Sequence, residues 1–543
     1  MSSAPRTSPA SRGPRSRVPF DAATIAYVAI ALLGFAIAAG LVFFELGTKT
    51  GLYGLTQFDD AVYFSTTLHF VSGSLPYRDF VMVQPPGIAV VLAPIGILGR
   101  IFGARDGLAI ARIFTGVVVG LNAAGVVMLL RRYGLLAALF GGLLFAVYPT
   151  AFNADHTLML EPYLVAFCLI AIAFAFPAEG QAGTWRLIAA GASLGVAGSI
   201  KVWGVFPLIA LLIVLGISDI RRALRVLFGA VAGAVAVCGV FFVAAPGAFV
   251  RDIITSQLSR TTAHPTPFLT RLWSIVGLDL SAKSILVQHS RTLIIVVTCV
   301  IGGVLVLGSM LPSLLRRGSA FESFILLATA LVVTSLFVPP VFYAHYAYFS
   351  APFIAIGLSI AASRVVNLVG DRTTQLGRRA APSLRAALST AVVLALGAGS
   401  LITIISEHRF EVYTMQIFGD PGSRIAAMIP KDACAVSDAE GLLIAGNRVL
   451  SSRADCPVVV DSTGTWISYV PLHPPAARGV EVSDPALVTY WANVFRHVDY
   501  IVLSSGIAFR IPWTPALRAE VKDRFHEVPG FAPLIYKADS LSN

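Results

Sequence analysis

Charged side chains are scarce in this sequence. Asp, Glu, Lys and Arg together make up 13% of its 543 residues, whereas 56% of the residues are hydrophobic. Soluble globular proteins carry about 25% charged and about 45–50% apolar residues. The composition therefore excludes a soluble enzyme with a single membrane tether, and it predicts a polytopic α-helical membrane protein.

Lysine is also rare, because 34 of the 40 basic residues are arginine. A net charge of +11 is compatible with nucleic-acid binding, but the arginines stand in pairs at the ends of apolar runs, as Arg131 and Arg132 do. Positive charge at such places sets the orientation of membrane helices. Membrane lipids, and not nucleic acid, are therefore the expected partners of this charge.

Two features of transport proteins are missing as well. The chain contains no P-loop sequence GxxxxGK[ST], which argues against an ATP-driven pump. No internal repeat relates its two halves, as repeats do in many secondary transporters. A transporter or lipid flippase nevertheless remains an alternative to an enzyme. A non-catalytic scaffold is disfavoured because the chain has far more apolar segments than anchoring needs.

A membrane-spanning helix needs about 20 apolar residues. Eleven segments are candidates: residues 24–45, 108–130, 134–151, 162–178, 184–200, 202–217, 226–245, 292–311, 321–338, 348–364 and 386–405. The stretch 86–103 is apolar but short, and it contains Pro94. If this stretch does not cross, the main arginine clusters all lie in the cytoplasm, as the positive-inside rule requires. We therefore expect about eleven crossings, with 86–103 as a helix at the outer interface.

This topology divides the chain into three parts. Residues 1–22 form a basic tail without the apolar region of a secretory signal, and we place it in the cytoplasm. Residues 23–405 form the transmembrane part, in which 46–107 and 246–291 are large outer loops. Residues 406–543 mix strand-like and helical runs, which predicts a small extracytoplasmic α/β domain. The expected location is the plasma membrane, with several crossings.

The C-terminal region carries residues of two further kinds. Cys434 and Cys456 would lie in an oxidising compartment, where a disulfide can form, although the sequence does not give their separation in space. Four aromatic residues could stack on a glycan, but core packing is the favoured role for most of them: Trp466, Tyr469, Tyr490 and Trp491.

Three arginines of the outer loop do not follow the positive-inside rule. Arg100, Arg105 and Arg112 would lie on the outer side in the favoured topology. We expect them near the interface, where lipid phosphates can meet their charge.

The first outer loop is the most informative part of the chain. Residues 58–87 read FDDAVYFSTTLHFVSGSLPYRDFVMVQPPG and open with Asp59 and Asp60. Two carboxylates beside a membrane are costly to desolvate unless they are paired or used. The alternative is a solvated helix N-cap, a position that Asp favours. The same loop also contains Tyr77, Arg78 and Gln84.

This loop resembles the GT-C superfamily of membrane glycosyltransferases. In that superfamily an acidic pair follows the first crossing, and an LPYRDF-like stretch and PPG come after it. The resemblance extends over about residues 20–405. Further matching positions are an acidic motif with Asp155, His156 and Glu161, then Lys201 after the fifth crossing, and the aromatic loop with Tyr343, His345 and Tyr346.

The resemblance implies a sugar donor of the polyprenyl-monophosphate type and an acceptor in the cell envelope, a glycan or glycolipid. Asp59 or Asp60 would be the general base, and the sequence cannot choose between them. Lys201, and after it Arg78 and Arg260, would bind the donor phosphate. Substrate contacts would come from Tyr77, Gln84, His156, Glu161, Tyr343 and His345.

Each of these residues has a structural alternative. Lys201 could extend to the interface without a further role, and Glu161 could cap the helix that starts at Pro162. The histidines could be hydrogen-bonded interface residues. No cofactor is firmly implied: the acidic residues offer oxygen ligands for a divalent cation, but no ligand spacing requires one.

Mannose is the favoured sugar because the LPYRDF and PPG elements look most like mannosyl members of the superfamily. Arabinofuranose is the alternative, because the arginine-rich composition is typical of actinobacteria, whose envelopes contain arabinan made by the same superfamily. The acceptor, the linkage and the oligomeric state do not follow from the sequence.

Overall fold

The computed structural model describes residues 22–47, 49–55, 57–148, 157–260, 265–276, 300, 302–304, 306, 319–375, 405, 421–470, 484–504, 510–530 and 533–541. The candidate spans 292–311 and 386–405 lie almost wholly outside the described residues, as does the predicted cytoplasmic tail.

Most of the described chain is helical. The α-helices of the first half are α1 (Ala22–Leu46), α2 (Lys49–Tyr53), α3 (Phe58–Val71), α4 (Gly87–Val91), α5 (Ala93–Phe102), α6 (Ala104–Leu130), α7 (Leu135–Ala146), α8 (Glu161–Ala175), α9 (Thr184–Ile200), α10 (Val205–Ser218) and α11 (Ile220–Ala244). Those that follow are α12 (Pro246–Val250), α13 (Ser256–Leu258), α14 (Phe268–Ile275), α15 (Ala320–Ser335), α16 (Ala351–Gln375), α17 (Gly422–Met428), α18 (Gly441–Ala445), α19 (Ser462–Tyr469), α20 (Pro485–His497) and α21 (Pro515–Arg524).

Three of these helices are long and apolar enough to cross a membrane: Ala22–Leu46, Ile220–Ala244, and α6 with the turn that extends it to Tyr133. Shorter apolar helices coincide with five more of the predicted spans. These five are α7, α8, α10, α15 and the N-terminal part of α16. The described helices therefore agree with a polytopic membrane protein, while the number of eleven crossings remains a prediction.

The ambiguous stretch 86–103 folds as two short helices, α4 and α5. The longer one, α5, has 10 residues, which corresponds to about 15 Å of helix and is half of the hydrocarbon thickness. Neither helix alone is long enough to cross. The position of this stretch at the outer interface stays a prediction.

Helices α9 and α11 pack with their backbones in direct contact. A Cβ atom at Gly191 of α9 would lie 1.9 Å from the Val226 carbonyl oxygen, and one at Gly229 of α11 would lie 2.1 Å from the Ile188 carbonyl oxygen. Small residues at the contact between two membrane helices let their backbones approach closely. The packing fixes the direction of α9, whose C-terminal end leads into Lys201.

The region 421–541 contains a four-stranded sheet, with β1 (Ala435–Ser437), β2 (Tyr500–Leu503), β3 (Phe525–Val528) and β4 (Leu534–Ala538). The strand order is β1-β2-β4-β3, parallel between β1 and β2 and antiparallel elsewhere. Trp466 and Trp491 lie in its core, as the sequence argument favoured. A disulfide joins Cys434 to Cys456.

This C-terminal region is attached to the first outer loop by specific contacts. The Asn447 side-chain oxygen accepts a hydrogen bond of 2.9 Å from the backbone N–H of Arg105, in the first turn of α6. Gly103, at a φ of 108° that favours glycine, makes room for it, because a Cβ atom there would lie 2.9 Å from the same oxygen. Asn447 therefore caps a helix that begins 343 residues earlier in the chain.

The three outer arginines have partners within the protein. Arg112 is buried against Asp60, Arg100 donates to the Val71 carbonyl at 3.0 Å, and Arg105 stacks 4.6 Å from the Tyr53 ring centroid. The expectation that Arg112 meets lipid phosphates is wrong, because a buried carboxylate already neutralises its charge. In the predicted topology, this pairing accounts for an arginine on the outer side of the membrane.

Candidate functional site

A cavity of about 570 Å³ lies where the first outer loop, the end of α9, the aromatic loop and the C-terminal region meet. Six of the residues that the sequence argument singled out line it together: Asp59, Gln84, Lys201, Arg260, Tyr343 and His345. They come from five separate places in the chain, and only the fold brings them to one cavity.

The structure separates the two carboxylates of the first loop. Asp59 and Asp60 lie in the first turn of α3, whose N-cap is Gln57 and not either Asp. Neighbouring helix residues point about 100° apart, so the two side chains meet different surroundings. Asp59 is partly buried and lines the cavity, whereas Asp60 is fully buried and does not.

Asp60 is occupied by a buried ion pair. Its Oδ2 atom accepts from Arg112 Nη2 at 2.5 Å and from Nε at 3.2 Å. The same guanidinium donates to the carbonyl oxygens of Leu52 and Gly54. Asp60 thus connects α3 to α6 and to the chain that precedes α3, and it holds the helix that presents Asp59.

Lys201 stands in extended conformation at the C-cap of α9. Its Nζ atom lies 2.5 Å from Glu161 Oε1, 4.0 Å from the ring centroid of Trp203 and 4.1 Å from that of Tyr346. A carboxylate and two aromatic faces therefore stabilise its ammonium group in a buried position. Glu161 is the first residue of α8, whose N-cap is Leu160. Its carboxylate therefore does not cap the helix and instead holds Lys201.

The PPG turn packs directly on the end of α9. A Cβ atom at Gly87 would lie 2.4 Å from the Ser199 carbonyl oxygen, so a larger residue would push the two segments apart. Gly87 therefore brings Gln84 and Lys201 to the same cavity, because each stands within three residues of this contact.

The aromatic loop forms another part of the cavity wall. It forms a short 3₁₀ helix over Ala344–Phe349, and the rings of Tyr343 and His345 stack with centroids 5.6 Å apart and planes 7° apart. His345 is buried. Both residues of the stacked pair line the cavity.

Four of the predicted site residues that the structure describes do not line this cavity. Tyr77 is buried and donates at 2.6 Å to the Gln84 carbonyl oxygen; it holds the loop in place and takes a positive φ of 70° to do so. Arg78 is exposed and pairs with Asp79 at 2.7 Å. Asp60 is the third, and the fourth is Glu161, which is buried and pairs with Lys201. His156 lies outside the described residues.

The C-terminal region contributes residues that sequence reasoning missed. Asp461, Thr463 and Arg510 line the same cavity. Asp461 also caps α19, where its Oδ1 accepts from the Gly464 N–H at 2.6 Å. The Arg510 guanidinium lies 4.3 Å from the ring centroid of Phe58, next to Asp59 in sequence. No motif marks these positions, so the sequence offers no signal for them.

The cavity shifts the proton affinity of its carboxyl groups. Burial raises the pKa of Asp59, the nearby Asp461 carboxylate adds to the increase, and His345 and Lys201 oppose it. Burial likewise raises the pKa of Asp461 and lowers the pKa of His345. Asp59 therefore holds a proton more strongly than an exposed Asp.

A change at Asp461 should be visible in the pH profile. If Asp59 acts as a base, activity falls as the pH falls through its pKa. Asp461→Asn removes a negative charge that raises this pKa, so the acidic limb of the kcat/KM profile should move to lower pH. Asn keeps the helix cap. Asp523→Asn, an exposed position on α21, is the control and should leave the limb in place; an unmoved limb in Asp461→Asn contradicts the electrostatic coupling.

Among the described residues, no three His, Cys, Asp or Glu side chains come together as a metal site. Asp155, which belongs to the acidic motif, lies outside that part of the chain.

Comparison with known proteins finds similarity in the fold but not in the sequence. No protein-family model matches the chain, and no curated protein matches it. Among solved structures, ArnT from Cupriavidus metallidurans bound to undecaprenyl phosphate superposes with a TM-score of 0.57 at 14% identity, over 95% of this chain and 97% of that one.

A second structure agrees with the first. The archaeal oligosaccharyltransferase AglB from Archaeoglobus fulgidus, in complex with an inhibitory peptide and a dolichol-phosphate, superposes with a TM-score of 0.54 at 13% identity, over 95% of this chain and 74% of that one. The likeness that the first-loop motif indicated is therefore confirmed for the fold: this chain has the fold of these two enzymes.

Proposed function

We propose that this protein is a glycosyltransferase that moves a sugar from a polyprenyl monophosphate to a glycan or glycolipid of the cell envelope. The observation that carries the proposal is the meeting of Asp59, Lys201 and Arg260 in one cavity of a GT-C fold. A carboxylate and two cations in one buried site are the groups that this reaction needs.

In the proposed reaction a hydroxyl oxygen of the acceptor attacks the anomeric carbon of the donor. The bond from that carbon to the phosphate oxygen breaks, and the phosphate leaves with the electron pair. Asp59 takes the proton of the hydroxyl group, which is general-base catalysis. Attack opposite to the leaving group inverts the anomeric configuration.

The leaving phosphate needs fixed positive charge in a site poor in water. Lys201 is buried in the cavity wall, where Glu161 and two aromatic rings hold it, and Arg260 lines the same cavity. Arg510 adds a third cation. Tyr343, His345 and Gln84 would bind sugar hydroxyl groups, since each offers a polar group to the cavity.

The site is proposed to face the outside of the cell. The arginine clusters favour that orientation. The disulfide between Cys434 and Cys456 agrees with it, because disulfides persist in oxidising compartments, and the region that contains it lines the cavity through Asp461.

Mannose is the proposed sugar, on the strength of the LPYRDF and PPG elements, with arabinofuranose as the alternative. The purified protein in detergent is to be given radiolabelled polyprenyl-phosphomannose and polyprenyl-phosphoarabinose separately, with an envelope glycolipid extract as acceptor. Transfer is expected from the mannose donor.

Three other outcomes are informative in this assay. Label moving from the arabinose donor alone replaces mannose by arabinofuranose and keeps the reaction class. If the Asp59→Asn variant transfers label at the same rate as the unchanged protein, the catalytic assignment of Asp59 is contradicted. Transfer from neither donor by folded protein contradicts the proposal and favours transport of a lipid-linked sugar.

A further inference from the structure

A second and larger cavity lies beside the first. It has a volume of about 920 Å³, near the upper end of the range for ligand pockets, about 300–1,000 Å³. One wall is the end of α3 and the segment from Gly99 to Ala104; the other is the C-terminal region from Asn447 to Val459. None of the residues assigned to the reaction lines it.

Glu440 lines this cavity and is almost fully buried. Its side chain is 4% exposed, and its Oε1 accepts from Ser65 Oγ at 3.1 Å. Its Oε2 has no hydrogen-bond partner among the described residues. Burial raises the pKa of Glu440 to about 8, so at neutral pH the group is a protonated acid that can donate to a ligand oxygen.

Most charged groups around this cavity are already engaged. The exceptions are Lys431 and Asp432, exposed neighbours of opposite charge that also line it, while Asp79 pairs with Arg78. Arg448 donates to three segments of backbone, including the Ile429 and Ala426 carbonyls, and Arg453 pairs with Asp455 and Asp499. Arg100 donates to the Val71 carbonyl. Because anion binding needs cations that face the ligand, these contacts favour a neutral ligand over a phosphate.

The remaining polar lining is uncharged at neutral pH. Burial lowers the pKa of His69 to about 4, so its ring is neutral and offers one donor and one acceptor. Ser72, Ser451 and Ser452 add hydroxyl groups, each of which can donate and accept. Hydroxyl-rich ligands match such a surface, whereas a mainly apolar peptide side chain does not.

The two cavities share one stretch of chain and one helix. Val459 lines the second cavity and Asp461 lines the first, so at most about 7 Å of chain separates these wall residues. Helix α3 carries Asp59 in the first cavity and His69 in the second, about 15 Å apart along its axis. A chain of a few sugar residues can cover this distance.

We propose that the second cavity binds a neutral oligosaccharide, the part of the acceptor glycan that precedes the sugar undergoing reaction. Glu440 and His69 are its specificity-determining residues. The identity of the ligand as acceptor rests on the proposed function, whereas the binding of an oligosaccharide does not.

The test measures binding by calorimetry with the full-length protein in detergent. The probes are mannan and arabinan fragments of graded length, together with a phosphorylated mannan fragment and a peptide. We expect one neutral series to bind, more tightly with length. Glu440→Met, which keeps the volume and removes the hydrogen bond, should weaken binding about tenfold.

Three variants complete the comparison. Glu440→Gln should bind within about threefold of the unchanged protein, because the Gln amide can still donate a hydrogen bond to the ligand. Asp523→Asn, remote and exposed, should bind normally. Asp59→Asn should bind normally and fail to transfer, which separates binding from reaction.

A photoreactive form of the bound fragment locates the site without any substitution. Cross-links are expected in peptides that contain residues 99–104 or 447–459. Cross-links elsewhere, preference for the phosphorylated fragment or the peptide, or full affinity in folded Glu440→Met each overturn the inference. Binding with the expected cross-links but without sugar transfer contradicts the proposed function and leaves the binding site standing.

Discussion

Asp59→Asn is expected to lower kcat by about 10²–10⁴-fold, the contribution typical of a general base. Asn has the same shape as Asp but cannot accept the proton of the acceptor hydroxyl group. Among the described residues Asp59 has no ion pair comparable to that of Asp60, so folding should be little affected. Initial rates of sugar transfer and thermal unfolding in the same detergent measure the two properties.

The matched control is Asp461→Asn, because Asp461 is the second carboxylate that lines the same cavity. It should keep activity at a pH well above the acidic limb. Loss of activity in Asp461→Asn with full activity in Asp59→Asn would transfer the role of base to Asp461.

Breaking the Asp60–Arg112 pair should have the largest effect on stability. Both side chains are buried, at 0% and 1% exposure. Asp60→Asn leaves the Arg112 charge in the interior without a counter-charge, and such a loss costs about 3–5 kcal/mol. The expected result is a lower unfolding temperature and a lower yield of folded protein, measured by thermal denaturation in detergent.

A double substitution distinguishes this structural role from a catalytic one. In Asp60→Asn with Arg112→Gln both charges are gone, so the loss of stability should be smaller than the sum of the two single losses. Any Asp60→Asn protein that folds should retain a substantial kcat. A folded but inactive Asp60→Asn enzyme with the stability of the unchanged protein would contradict our assignment of the two carboxylates.

The sequence predicts several residues that line the cavity but not the separate roles of the two carboxylates. Asp59 of the first-loop motif, Lys201 and His345 all line it. The choice between Asp59 and Asp60 could not be made, because it depends on Arg112, which lies 52 residues from Asp60. Long-range pairing of this kind leaves no periodic pattern in a single sequence.

Two other interpretations were limited for similar reasons. Tyr77 and Arg78 stand in the most specific motif of the chain, yet one holds the loop from within and the other faces water. Asp461 and Arg510 lie in a region without motifs, and only the contact of the C-terminal region with the first loop makes them part of the cavity. A motif identifies a segment of the chain, whereas the fold determines which side chains of that segment reach the cavity.

The attachment of the C-terminal region has a consequence for biogenesis. The first loop leaves the ribosome early, whereas Asn447, Asp461 and Arg510 are synthesised hundreds of residues later. Until they have been made, α6 lacks its cap and the cavity lacks one wall. In the proposed topology these residues must also cross the membrane, so the proposed activity is expected to begin only when export of this region is complete.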